Sequence, residues 1–96
     1  MALSEFATEY SPIVVTRDIP ALDTFWRKAV RSAIKEKLMT QPDVFGSPLR
    51  QSLKGFWKLR VGDYRVVYKT RGRKVTIFAI LHRERIYQEM QKRMIV

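Results

Sequence analysis

Leu53-Lys54-Gly55-Phe56-Trp57-Lys58-Leu59-Arg60-Val61-Gly62-Asp63-Tyr64-Arg65-Val66-Val67-Tyr68 alternates hydrophobes with cations around a turn signal. Successive side chains of a strand point to opposite faces, so Lys58 and Arg60 share one face while Trp57, Leu59 and Val61 share the other. Gly62-Asp63 supplies a hairpin turn. The returning strand, Tyr64 to Tyr68, brings Arg65 beside Lys58 and Arg60. A compact cationic cluster on rigid backbone suits a phosphate-rich partner.

On the C-terminal side, Arg71-Gly72-Arg73-Lys74 turns the chain into Val75-Thr76-Ile77-Phe78-Ala79-Ile80-Leu81. That run is almost wholly apolar and predicts a central strand buried on both faces. Beyond it Ile86, Tyr87, Met90 and Met94 have helical spacing and predict a short C-terminal helix. On the N-terminal side, Phe45-Gly46-Ser47-Pro48 reads as a loop into Leu49-Arg50, and Gln41-Pro42-Asp43 as a helix break. Before the break, Leu22, Phe25, Trp26, Ala29, Val30, Ala33, Ile34 and Leu38 form an apolar stripe of about five helical turns. Its polar side carries Arg27, Lys28, Arg31 and Lys35, with Asp23 spaced to pair weakly with Arg27. Ser11-Pro12 predicts a helix start capped by the serine, kept short by β-branched Ile13, Val14, Val15 and Thr16 and ended or followed by Pro20. Residues 4 to 10, around Phe6, Thr8 and Tyr10, read as a short N-terminal strand. Trp57, Trp26 and Phe25 are assigned to the core. The expected fold class is α+β: a single small domain over residues 1–96, helices packed on a three- to four-stranded, mostly antiparallel sheet.

Ninety-six residues, 46% of them hydrophobic, suffice for one modest core. The formal charge of +10 favours a polyanionic partner such as nucleic acid or a strongly acidic protein. Cysteine is absent and there is a single histidine, which excludes disulfides and thiolate metal sites and argues against zinc. The N-terminus lacks a leader pattern and no apolar run reaches the length of a membrane span, so the expected location is cytoplasmic, away from membrane.

Metal-dependent phosphodiester cleavage needs clustered carboxylates, yet Asp18, Asp23, Asp43 and Asp63 are scattered over different elements. Neither a metal nor another cofactor is expected. A nucleophilic triad also lacks its parts. Cation chemistry remains. Metal-free RNA cleavage by attack of a 2′-hydroxyl on the adjacent phosphate needs positive charge on the developing phosphorane, which arginines supply. Lys58, crowded by Arg60 and Arg65, is a candidate base. His82-Arg83-Glu84-Arg85-Ile86-Tyr87 offers a second group: Arg83 as a further cation, Tyr87 to stack on a base or bind a phosphate, His82 as a possible acid or base. If the strand runs to its end, His82 and Arg83 face opposite sides. The structural alternatives are a solvated cationic face, a histidine that satisfies a backbone carbonyl, and a core Tyr87.

Leu53-Lys54-Gly55, the run Leu59 to Tyr68, and His82-Arg83 followed by Tyr87 together resemble the RelE/ParE superfamily of toxins from toxin-antitoxin modules. The resemblance extends weakly over the helices. It implies a small α+β domain and, for the RelE branch, metal-free cleavage of mRNA in the ribosomal A site. Lys58, Arg60, Arg65, Arg83 and Tyr87 fall where that branch has its basic and aromatic catalytic residues. Apart from the resemblance, Lys54, Arg27 and Arg31 are candidate RNA-binding cations, the two helix arginines as part of a general electrostatic footprint for ribosomal RNA. Phe56 departs from the pattern, standing near where the most basic sites carry another lysine. The ParE branch shares the fold but inhibits DNA gyrase, and its C-terminal motif usually differs from His82-Arg83 to Tyr87. The expected function is therefore a ribosome-dependent mRNA endonuclease toxin, its partners a cognate antitoxin and the ribosome with mRNA in the A site. The alternatives are a gyrase inhibitor, an inactive antitoxin-binding member and a basic RNA-binding module.

Overall fold

The computed structural model describes residues 6–50 and 53–95. Five strands form one sheet in the order β1-β5-β4-β3-β2: β1 Ala7–Tyr10, β2 Ser47–Pro48, β3 Trp57–Val61, β4 Tyr64–Arg71 and β5 Lys74–His82. β1 runs parallel to β5, and every other neighbouring pair is antiparallel. The α+β class and the mostly antiparallel sheet are as expected; the strand beyond the expected three to four is β2. Its two residues pair with Trp57 and Lys58, where Pro48 suits an edge because it has no N–H to donate. Of the N-terminal strand, residues 4 and 5 lie outside the described residues.

The hairpin forms as the alternation dictates. Gly62 takes φ +58° in its turn, and a Cβ there would stand 2.5 Å from the Trp26 ring, so glycine is required by both conformation and space. β5 is flanked by β1 and β4 and is buried on both sides. Against one sheet face, Leu59, Val66, Tyr68, Val75, Ile77 and Ile80 pack on Val14, Leu22, Val30, Ile34 and Leu38. Against the other, Val67, Ala79 and Leu81 pack on Leu49, Leu53, Phe56, Ile86 and Met90.

The helices follow the sequence with local corrections. A wide helical turn, Val14–Asp18, leads into α1, Ile19–Ala21. The Ser11 side chain does not cap it: its hydroxyl is buried without a hydrogen-bond partner, and the turn opens from the Ser11 carbonyl instead. α2, Thr24–Ala33, continues into a second wide turn, Ile34–Leu38. Asp23 caps α2 by accepting from the Trp26 N–H at 2.9 Å, while Arg27 donates to the Leu22 carbonyl at 2.8 Å. Each therefore serves the helix start. Phe25, assigned to the core from the stripe, is 69% exposed. At 3.6 residues per turn it lies about 140° around the helix from Val30, beyond the buried arc, and only its edge contact with Trp26 at 5.1 Å shields it. Trp26 and Trp57 are half-buried against the core.

Two later helices complete the domain. α3, Pro42–Phe45, is tied to the sheet by Tyr68, whose buried hydroxyl donates to the Pro42 carbonyl at 2.6 Å. Burial, and then the nearby Asp43, push that phenol up to about 12. α4, Ile86–Ile95, lies on the sheet face opposite α2 through Ile86 and Met90. Its Arg93 forms a bidentate pair with buried Asp18 at 2.7 and 2.9 Å. The Ile80 N–H also donates to Asp18, and Arg93 donates to the Phe78 carbonyl. β1 ends opposite Ile77, so this side-chain pair occupies the edge of β5 just where strand pairing stops. No helix among the described residues is long and apolar enough to cross a membrane.

Candidate nucleic-acid interface

Strand register decides which cations meet. Lys58 stands opposite Val67 and Arg60 directly opposite Arg65, all on the sheet face that α4 covers in part. Arg65 lies opposite Leu81 on β5, and Arg83 follows Leu81 by two residues. The Arg83 N–H donates to the Asp63 carbonyl at 2.8 Å, which fastens the end of β5 to the hairpin turn. Arg65 folds back over the same turn, donating to the Gly62 and Tyr64 carbonyls at 2.8 and 2.9 Å. Partial burial, and then the charges of Arg60 and Arg83, lower its pKa from the ordinary guanidinium value, with Asp63 opposing. From α4, half-exposed Tyr87 comes under Lys58, whose Nζ lies 5.7 Å from the ring centroid.

Lys58, Arg60, Arg65, Arg83 and Tyr87 are thus brought to one face. Like charges directly opposed across strands are destabilising. The ion pairs among the described residues are Lys74–Glu9, Arg85–Glu89, Arg93–Asp18 and Arg93–Glu89, and none neutralises this cluster. Guanidinium donors held on strands without an ion-pair partner have the chemistry that suits an anion.

His82 is not on this face. The register of β4 and β5 slips between Val67 and Tyr68, leaving Phe78 without a partner, and that bulge inverts the alternation of β5. Before it, Val75 and Ile77 face α2; after it, Ala79 and Leu81 face α4. The inversion sends Arg83 to the cationic face and His82 to the other, where its ring packs 5.6 Å from Tyr64 and Tyr64 packs 5.0 Å from Trp26. His82 Nδ1 accepts from the Glu84 N–H at 3.2 Å. Nothing in the periodicity of residues 75–81 marks the bulge, so the facing of His82 and Arg83 follows from register alone.

The outlying RNA-binding candidates separate as well. Arg27 and Arg31 lie on α2, across the sheet from the cluster, where they line a 250 Å³ pocket with Tyr10, Leu22 and Ile80. Lys54 is exposed in the turn before β3. Beside Lys58 and Tyr87 an open cleft of about 690 Å³ is lined further by Ser47, the strand partner of Lys58, and by Pro48, Leu49 and Arg50. Among the described residues no group of three or more histidines and carboxylates is placed to hold a metal ion.

A comparison with curated protein sequences finds no match. Solved structures do match. The toxin-antitoxin complex RelBE2 from Mycobacterium tuberculosis contains a chain with 26% identity and a TM-score of 0.77, covering 84% of this chain and 94% of that one. The RelB-RelE antitoxin-toxin complex from Methanococcus jannaschii matches at 19% identity and a TM-score of 0.64, covering 84% and 96%. The RelE-RelB complex from Pyrococcus horikoshii matches at 18% and 0.58, covering 84% and 98%. The latter two are alike in fold. The family described as "ParE toxin of type II toxin-antitoxin system, parDE" matches residues 15–87, from the first helical turn to the tyrosine beneath Lys58. With most of its length inside that match and its fold shared with RelE-type chains, this protein belongs to the ParE toxin family of type II toxin-antitoxin systems, within the RelE/ParE superfamily.

Proposed function

We propose that this toxin is a ribosome-dependent mRNA endonuclease that works without metal and is neutralised by a cognate antitoxin. One observation carries the proposal: Arg60, Arg65 and Arg83 converge, unneutralised, beside Lys58 and Tyr87 on a single rigid face. In cleavage, a 2′-oxygen bonds to the neighbouring phosphorus as the bond to the 5′-oxygen breaks; one proton leaves the hydroxyl and another reaches the departing oxygen. Guanidiniums remain protonated, so the arginines hold the phosphorane charge, and proton exchange on this face falls to Lys58 and Tyr87. The exposed ring of Tyr87 also offers a stacking surface for an unpaired base. A basic face that attacks ribosome-bound mRNA acts in the cytoplasm, and the RelBE2 complex supports an antitoxin as the partner that keeps it inactive.

A second reading, inhibition of DNA gyrase, is favoured by the match to the ParE family. One experiment separates them. Purified toxin is added in parallel to programmed ribosomes and to a gyrase supercoiling reaction, together with Arg65→Ala and Arg83→Ala. The expected result is new mRNA ends within codons, reduced about 10²- to 10³-fold by either substitution while thermal melts stay unchanged. Intact mRNA with lost supercoiling replaces the nuclease by the gyrase inhibitor. Parental cutting by both variants makes the cluster a solvated face.

A further inference from the structure

The cleft lined by Ser47–Arg50, Lys58 and Tyr87 is not accounted for by the cluster at the hairpin turn. One stretch of its lining, Ser47–Arg50, is fixed in three ways. Gly46 lies so close to Tyr68 that any Cβ would collide with the Tyr68 hydroxyl. That hydroxyl is anchored on the Pro42 carbonyl, and the Leu49 N–H donates to the Phe56 carbonyl at 2.9 Å. Arg50 stands exposed at the end of this stretch, outside all the ion pairs among the described residues. Lys58, paired with Ser47 across the sheet, and the Tyr87 ring complete the lining. A duplex hides its base faces and presents phosphates on a convex surface, whereas a concave site lined by two cations and a ring fits an unpaired nucleotide.

We propose that this cleft is a subsite for one single-stranded RNA nucleotide next to the cleaved phosphate, and that Arg50 binds the phosphate on its outer side. The proposal rests on the nuclease reading and adds to it a contact at Arg50, four residues before Lys54 and outside the proposed catalytic group.

The test is binding of a 2′-O-methyl RNA strand of about ten nucleotides, a length within the usual range for single-strand sites. Methylation removes the attacking hydroxyl, so binding is read without cleavage. Fluorescence anisotropy is measured between about 50 and 200 mM salt for the parent, Arg50→Ala, and Arg17→Ala, an exposed cation on the first helical turn. One lost phosphate contact on a single strand flattens the slope of log affinity against log salt by about 0.7. Arg50→Ala is expected to show that change with a several-fold loss of affinity, and Arg17→Ala to match the parent. A parent that binds RNA while Arg50→Ala keeps the parental slope, or while Arg17→Ala loses as much, overturns the subsite alone. A parent with no affinity for the strand overturns the subsite as well, whereas the nuclease reading is overturned separately, by intact mRNA in the programmed-ribosome reaction.

Discussion

Replacing Asp18 by alanine tests whether a side-chain pair does the work of a strand. The Asp18 carboxylate accepts from the Ile80 N–H at 3.0 Å and from both terminal nitrogens of Arg93 at 2.9 and 2.7 Å. Side-chain exposures are 3% for Asp18 and 12% for Arg93, so Asp18→Ala leaves a nearly dry guanidinium and an unpaired backbone donor. Removing one member of a buried pair costs about 3–5 kcal/mol. Glu89, 3.5 Å from Arg93 Nε, offsets part of this and points to the lower end. About 3 kcal/mol corresponds to a Tm fall of about 12–24 °C for a domain of this size, a large share of a total near 5–15 kcal/mol. Denaturant and thermal melts of the purified protein measure it. The companion variant Asp18→Leu with Arg93→Met removes both charges. A pair that is only ionic would be replaced at little or no loss, or even with a gain. This pair also satisfies Ile80 N–H and Phe78 C=O, each worth about 1–3 kcal/mol when buried and unpaired. The double variant is expected to stay at least about 2 kcal/mol below the parent. A double variant that melts with or above the parent would refute the edge-sealing role.

Three further outcomes follow from positions away from the cationic face. Gly46→Ala forces a methyl group against the Tyr68 hydroxyl and should destabilise by about 1–3 kcal/mol, with Tyr68→Phe in the same chain relieving part of the loss, as read by urea midpoints. The Tyr68 phenol is raised to about 12 when folded against about 10 when unfolded, so its contribution is intact below pH 10 and lost as pH rises from 10 towards 12; alkaline melts, with absorbance following phenolate formation, check both the window and its absence in Tyr68→Phe. Phe25→Ser should change stability by less than about 0.5 kcal/mol, whereas Leu38→Ala, at a fully buried site, should lose about 2–5 kcal/mol by the same melts.

The hairpin and its cationic face were legible because a strand's two-residue period is a local property: Lys58, Arg60 and Arg65 needed only the turn at Gly62-Asp63 to meet. Tyr87 and Arg83 were nameable as candidates, yet their arrival depends on α4 docking and on the bulge at Phe78. A bulge inserts one residue into a ladder, and no hydrophobic pattern distinguishes Phe78 as the unpaired one in a run apolar throughout. The sequence put His82 and Arg83 on opposite faces, and for that reason it could not say which of the two joins the cations. Phe25 shows the complementary limit, since a periodic stripe has an edge, and the residue at the edge is decided by what packs opposite. β2 was read as loop because two residues with a proline carry no strand signal; β3 imposes the pairing. The Asp18–Arg93 pair spans 75 positions and had no local trace.

The parallel pairing of β1 with β5 has a consequence for the time at which this chain becomes a toxin. Ala7 precedes its partner Lys74 by 67 positions, an interval of roughly 3 to 13 s at about 5–20 residues per second. Until β5 emerges, neither β1 nor Asp18 has the edge on which each comes to rest. Arg83 and Tyr87 are made later still. A nascent or prematurely terminated chain therefore carries the hairpin cations without the platform or the last members of the site. The candidate site stays incomplete until β5 and α4 have been made, and a neutralising antitoxin has that interval in which to be supplied.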